Sequence, residues 1–380
     1  MDRIAAGPGG IPRLLVVTND FPPRVGGAQR YCHDLVRHLP PDRVTVLAPR
    51  MDGWREFDAA QAYPVVRYGG SFLLPGGELR PRVRSLLRET GAEMVLFGHG
   101  YPLAAMGPGL DVPYATLTHG VEAWMSRVPV GRQLLARALS DARVVFTVSR
   151  HTERWIRRAL PARTRTLPLP PGVDVDRFNP DVDGLPVRTR HGVGDRPLVA
   201  CVSRLVQRKG QDTLIRVWPA VRRAIPGARL LLVGGGPDRE RLGQLAAPLG
   251  DAVSFAGVVS EEELPAHYAA ADLFAMPCRD QKGGLELEGL GIVYLEAAAC
   301  GKAAVAGRSG GAPEAVIEGE TGVVVDGRDQ AGLGRAIVKL LEDPERRRSM
   351  GKAGRAWVEK DFSWTAVLER FGVALRGRTG

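Results

Sequence analysis

The first 170 residues contain no lysine, although 23 arginines stand there against 14 acids, a net charge of +9. The rest of the 380-residue chain holds 29 basic and 28 acidic residues, so nearly all of the overall +10 sits in the first half. An arginine-biased composition accounts for the missing lysine by itself. The uneven placement says more, because a basic half beside a neutral one suits an anionic partner: a membrane surface, a phospholipid head group or nucleic acid. Aromatic residues make up only 6% and are not interleaved with the basic ones, which argues against nucleic acid. Cysteine is scarce as well. Cys32, Cys201, Cys278 and Cys300 lie far apart and form no Cys-x-x-Cys, so neither a disulfide framework nor a zinc site is expected. A reducing cytoplasm fits. No apolar run approaches the roughly 18 residues that a membrane span needs. The opening segment Met1–Pro12, rich in glycine and poor in apolar residues, reads as a frayed leader and not as a signal peptide.

What is present is an ordinary globular composition, 44% hydrophobic and 25% charged, on a chain long enough for two domains. Short apolar runs alternate with longer amphipathic stretches, the pattern of parallel-sheet α/β units. Strands are expected at Leu14–Thr18, Val44–Ala48, Met94–Phe97, Ala115–Thr118 and Val144–Val148. A second set follows at Leu198–Val202, Leu230–Val233, Val253–Phe255, Leu273–Met276, Ala303–Ala306 and Val323–Val325. Each is apolar for most of its length, as strands covered on both faces are. The proline-rich run from Leu167 to Asp174 excludes helix and central strand, so it reads as the connector between the domains.

Several loops carry chemistry. Gly26 and Gly27 follow the first strand at a helix start, where backbone can approach a phosphate closely; a plain tight turn fits as well. Arg204 and Lys209 follow Leu198–Val202 at the strand edge where open α/β sheets bind ligands, and one forked plus one point-like cation suits a diphosphate. Arg208 beside them reads as solvated. His119, directly after a strand, is placed to donate to a sugar hydroxyl or carry a proton, with His99 as second choice. Glu288 and Glu296 stand eight residues apart around a glycine turn, ahead of and inside a helix expected to start near Gly291, whose free N–H groups suit an anion.

Other features are set aside or left open. The paired aspartates Asp174/Asp176 and Asp181/Asp183 read as turn chemistry, not as a metal site. Gly234-Gly235-Gly236 hints at a dinucleotide site, but the following strand does not end in an acid, so close approach of a nucleotide or donor phosphate is the better reading. The stretch Trp124–Leu139 mixes bulky apolar residues with arginines; contact with a membrane interface or lipid acceptor and a buried amphipathic helix fit it equally.

Taken in order, Thr18–Gln29, Thr118–Glu122, Ser203–Asp212, the Glu288–Glu296 pair and Ser309–Glu314 resemble family 4 of the retaining glycosyltransferases. The wording TNDFPPRVGGAQ, SRLVQRKGQD, FAMPCR and GGLELEGLGIVYLEA is similar to the bacterial branch that adds mannose from GDP-mannose to phosphatidylinositol mannosides. The resemblance implies an α/β chain of the GT-B fold, two Rossmann-like domains with parallel sheets facing across a cleft. Residues 1–172 would form the acceptor-binding domain, with the helix in 365–380 returning to it, and 173–364 the nucleotide-sugar domain. It further implies that Gly26, Gly27 and Gly234 lie near the donor diphosphate, which Arg204 and Lys209 neutralise. Glu288 and the backbone of Gly289, Leu290, Gly291 and Ile292 would hold the sugar hydroxyls, Glu296 the ribose, and His119 the sugar in the transition state. No metal or other cofactor is implied, and the leaving phosphate would help to deprotonate the acceptor. Partners would be a nucleotide-sugar donor, a lipid acceptor and an anionic membrane, placing the protein at the inner face of the cell membrane. One departure bears on the acceptor: Val121 stands where that branch is expected to have a second histidine. A GDP- or UDP-sugar transferase acting on a soluble acceptor is therefore the alternative.

Overall fold

Seven parallel strands make one sheet and six make another. The first contains β1 (Leu14–Val17), β2 (Val44–Pro49), β3 (Val65–Tyr68), β4 (Met94–Phe97), β5 (Tyr114–Thr118), β6 (Val144–Thr147) and β7 (Thr166–Pro168). The second contains β8 (Leu198–Val202), β9 (Arg229–Val233), β10 (Val253–Gly257), β11 (Leu273–Met276), β12 (Ala304–Gly307) and β13 (Gly322–Val325). The computed structural model describes residues 10–377. The chain divides into two units, one running to Gly172 and resuming at Trp364, the other spanning Val173–Ser363. Most of the expected leader, and the last three residues, lie outside the described residues.

The strand orders are β3-β2-β1-β4-β5-β6-β7 and β10-β9-β8-β11-β12-β13. Both sheets are doubly wound, and each reverses direction at one place, between β1 and β4 and between β8 and β11. At such a switch the loops leaving the carboxyl ends of the two strands diverge and leave a crevice for ligands. The order of the strands thus decides which loops carry function.

Burial on both faces makes these strands read as unbroken apolar runs. On β1, Leu14 and Val16 enter one core while Leu15 and Val17 enter the other. The first core is completed by the last helix, Trp364–Arg376, through Trp364, Val367, Leu368 and Phe371, whose ring lies 5.2 Å from that of Phe146. In the second unit the 18-residue helix Pro344–Asp361 anchors the segment after Gly172, with Arg355 Nη1 donating to the carbonyls of Val175 and Phe178 at 2.8 and 2.7 Å. The expected Trp124–Leu139 stretch is two helices, Gly120–Met125 and Pro129–Leu139, because Pro129 can start a helix but cannot continue one.

Candidate active site

In the second unit, the loop after β8 and the loop after β11 meet at the switch point. Lys209 Nζ donates to Glu288 Oε2 at 2.6 Å, and Arg208 Nη1 donates to the same oxygen at 2.8 Å. Lys209 and Glu288 are buried. The expectation that Arg208 is solvated is therefore corrected: its guanidinium is half-buried because the carboxylate needs a second cation to offset its lost hydration. Burial pushes the Glu288 carboxyl up, but Lys209 and Arg208 outweigh it and leave the group below its ordinary range.

The backbone around Glu288 is held as firmly as its side chain. Its N–H donates to Ser309 Oγ at 3.1 Å, Ser309 Oγ donates to Asp280 Oδ1 at 2.6 Å, and its carbonyl accepts from Gly311 N–H at 2.8 Å. Gly310 lies at φ +50°, and a Cβ there would collide with the Glu288 carbonyl, so only glycine lets this turn approach so closely. Glu288 Oε1 accepts no hydrogen bond among the described residues, and the N–H groups of Gly289, Leu290 and Gly291 donate none. Helix Ile292–Ala299 begins immediately after, with Gly291 as its left-handed cap, so Ile292 adds a donor with no carbonyl one turn back. An acceptor oxygen and a row of N–H donors converge here, a set that matches a hydroxyl-bearing, anionic ligand.

The remaining predicted residues of this unit are placed differently. Arg204 is exposed and pairs with nothing among the described residues, which leaves its guanidinium available to an anion. Gly234, at φ +125°, lets the β9 loop pack against the carbonyl of Ser203 beside it. Glu296 is buried one turn inside its helix, and its Oε2 accepts from Tyr268 OH at 2.6 Å. Sequence reading missed the pair that ties the two loops together. Arg279 Nη2 donates to Asp212 Oδ1 at 2.9 Å and Arg279 Nη1 to Thr213 Oγ1 at 2.7 Å, joining the β11 loop to the helix after Lys209. Burial would raise the Asp212 carboxyl, but Arg279 and Arg216 hold it down.

In the first unit, the switch point brings together the β1 loop, the β4 loop and the β5 loop. Gly26 and Gly27 are exposed, and Gly27 opens the helix Gly27–Arg37. His99 Nδ1 lies 2.7 Å from Asp20 Oδ2, and its ring centroid is 4.7 Å from that of His119. His119 Nε2 is 3.2 Å from the Gly98 carbonyl, so that nitrogen carries the proton. Burial and the neighbouring His99 push the His119 imidazole down to about 4. For His99, burial lowers the pKa, but the Asp20 carboxylate reverses it and leaves the ring above its ordinary value. Glu122 anchors this corner, accepting from the N–H groups of Gly100 and His119 at 2.9 Å each. Asp20 and Glu122 lie inside motifs that the sequence marks, but sequence reading gave neither a role, and only the sheet topology brings them to His99 and His119.

Other chemistries find no support here. The thiols of Cys201 and Cys278 are pushed up to about 12 by burial, which leaves no thiolate nucleophile. Asp174 and Asp183 accept the backbone N–H groups of Arg177 and Leu185 at 3.1 and 2.8 Å, as turn residues do.

Two doubly wound parallel sheets, the second with a cation–carboxylate cluster and free amides at its switch point, define a glycosyltransferase of the GT-B type. The family model "Glycosyltransferase Family 4" matches residues 25–177, and "Glycosyl transferases group 1" matches 188–357. A GDP-mannose-dependent alpha-(1-6)-phosphatidylinositol monomannoside mannosyltransferase of Mycolicibacterium smegmatis is 48% identical over 96% of this chain and 98% of its own. The protein of the same description from Mycobacterium tuberculosis is 45% identical, again over 96% and 98%. In fold, the chain matches the crystal structure of Anabaena HepE in complex with UDP, with a TM-score of 0.83 at 21% identity over 96% of this chain and 100% of that one. The chain belongs to the glycosyltransferase family that the two mycobacterial mannosyltransferases represent.

Proposed function

We propose that this chain moves mannose from GDP-mannose to a phosphatidylinositol monomannoside, retaining the anomeric configuration and using no metal ion. The observation that carries this reading is the 48% identity, over nearly the whole of both chains, with the Mycolicibacterium smegmatis enzyme described by that donor and acceptor. In this reading residues 173–364 hold the donor, and residues 1–172 with 365–380 hold the acceptor. Arg204 and Lys209 bind the diphosphate, whose charge grows as the bond to the sugar breaks, so their attraction is strongest in the transition state. Glu288 Oε1 and the N–H groups from Gly289 to Ile292 receive the sugar hydroxyls, Glu296 the ribose, and Gly26, Gly27 and Gly234 admit the phosphates. His119, kept neutral, lines the sugar. No described helix is long and apolar enough to cross a membrane. The enzyme would meet its acceptor at the inner face of the cell membrane, drawn there by its arginine-rich first unit.

The deciding assay incubates the protein with radiolabelled GDP-mannose, UDP-mannose or UDP-glucose, each with and without phosphatidylinositol monomannoside. A dimannosylated lipid from GDP-mannose alone supports the reading. Turnover of a UDP-sugar, or no mannosylated lipid from GDP-mannose, overturns it.

A further inference from the structure

We propose that Asp280 is a positioning residue: acting through Ser309, it aims the N–H donors that follow Glu288 at the donor sugar. The inference deepens the proposed function and rests on its reading that this loop receives the sugar hydroxyls. Ser309 is buried, and its hydroxyl has a single proton to give. Its two partners leave that proton one direction. A backbone N–H cannot accept and a carboxylate cannot donate, so the proton goes to Asp280 Oδ1 at 2.6 Å and the oxygen turns a lone pair to the Glu288 N–H at 3.1 Å. Without the carboxylate the hydroxyl can rotate, and its oxygen becomes a weaker acceptor.

The Glu288 N–H matters because of the peptides it belongs to and precedes. On the same peptide unit the Leu287 carbonyl accepts from Arg208 Nη1 at 3.4 Å, so both polar ends of that unit are tied. On the next unit the Glu288 carbonyl accepts from Gly311 N–H at 2.8 Å. A trans peptide is planar, so fixing that carbonyl fixes the Gly289 N–H in the opposite direction. That N–H is the first of the row of donors running to Ile292, and releasing the Leu287–Glu288 peptide tilts it together with the Glu288 carboxylate. Asp280 is itself braced. Its carbonyl accepts from Arg328 Nη2, and a Cβ on Gly327 would collide with the Pro277 carbonyl, so the loop after β13 presses on the loop after β11. The Asp280 carboxylate forms no ion pair among the described residues; what it holds is Ser309.

The test is a double-mutant cycle in the full chain over Asp280→Ala, Ser309→Ala and the two together, with Asp280→Asn as the conservative variant. Steady-state transfer from GDP-mannose to phosphatidylinositol monomannoside gives kcat and KM, calorimetry gives the affinity for GDP, and amide hydrogen exchange follows Glu288 in the ligand-free chain. Asp280→Ala should lower kcat by about tenfold to a hundredfold, the scale of a reacting group held slightly out of place. GDP affinity should hardly move, because the proposed function gives the diphosphate to Arg204 and Lys209. Asp280→Asn keeps an oxygen for the Ser309 hydroxyl and should recover most of the loss. Exchange at the Glu288 amide should quicken in Asp280→Ala and stay slow in Asp280→Asn. The double variant should lose no more than Ser309→Ala alone, since Asp280 works through Ser309. Wild-type kcat in Asp280→Ala overturns the proposal. So do additive losses in the double variant, an equal loss in Asp280→Asn, which would give the charge itself a role, or GDP affinity falling in step with kcat, which would mean a loosened domain. Should Ser309→Ala not fold, the two Asp280 variants decide by the same readouts. A wild type that moves no mannose from GDP-mannose sinks the proposed function, and exchange then decides the positioning alone: quickened only in Asp280→Ala supports it, and unchanged in both variants overturns it.

Discussion

Lys209 and Glu288 are 79 residues apart in sequence and 2.6 Å apart in space, and each side chain keeps only 10% of its exposure. Two charges taken that far out of water are stable only with good geometry and further partners, which Arg208 supplies. The pair is also a switch in waiting. In the proposed function a diphosphate reaching Lys209 would compete with Glu288 for its protons, and donor binding would then be linked to release of the carboxylate.

Replacing Lys209 by Met removes the point charge that the proposed function places on the donor diphosphate, while Arg208 still holds Glu288. Transfer should fall by about 10²–10³, the scale of one preorganised transition-state contact. Stability should fall by less than the roughly 3–5 kcal/mol of a fully orphaned buried charge. Steady-state kinetics and denaturant midpoints measure both, and turnover within a few-fold of wild type would remove Lys209 from the site.

Glu288 has a folded-state pKa below its ordinary value, so its charged form is favoured by folding. Its contribution is present above the unfolded value of about 4.5 and is lost as pH falls through the lower folded value. The melting-temperature gap between wild type and Glu288→Gln should stay level from pH 7 down to about 5 and narrow below that. A gap that widens on acidification contradicts the assignment.

The two imidazoles should titrate apart. By NMR, His119 should titrate near pH 4 and His99 above its ordinary 6.5. Asp20→Asn should bring the His99 value down, since that carboxylate is what holds it up against burial. His99→Gln should raise His119 without restoring it fully, because burial is the larger cause of its shift. Coincident titrations near 6.5 would show that the rings do not sense each other.

Gly310→Ala places a Cβ against the Glu288 carbonyl in a backbone region alanine disfavours. The strain is of the order of 1–2 kcal/mol. Because the turn carries Ser309 and Gly311, which hold Glu288, activity should fall by more than that stability loss accounts for. Equal losses in both would mean that the turn is only a scaffold.

Much of the fold is readable along the chain, and its limits have a physical cause. Strands covered on both faces, such as β4 and β11, show up as apolar runs. The edge strand β3 does not, because it is only partly buried and carries Arg67, whose guanidinium is paired with Asp58 at 2.7 Å. The other edge strand, β7, hides inside the proline-rich connector, where Pro168 is tolerated because one side of the strand needs no partner. Arg208 escaped for a different reason. Nothing local distinguishes a solvated arginine from one whose carboxylate partner lies 80 residues later.

By itself the sequence determined the α/β class, the order of glycine-rich and charged loop motifs and hence the family, since these depend on local periodicity and on residue types at short spacing. Tertiary structure alone decided that Glu288 sits between two cations, that His99 and Asp20 bear on His119, and that Asp212 and Arg279 join two loops. Those relationships arise where strand order brings distant loops to one switch point, and no short-range pattern encodes which ends will meet.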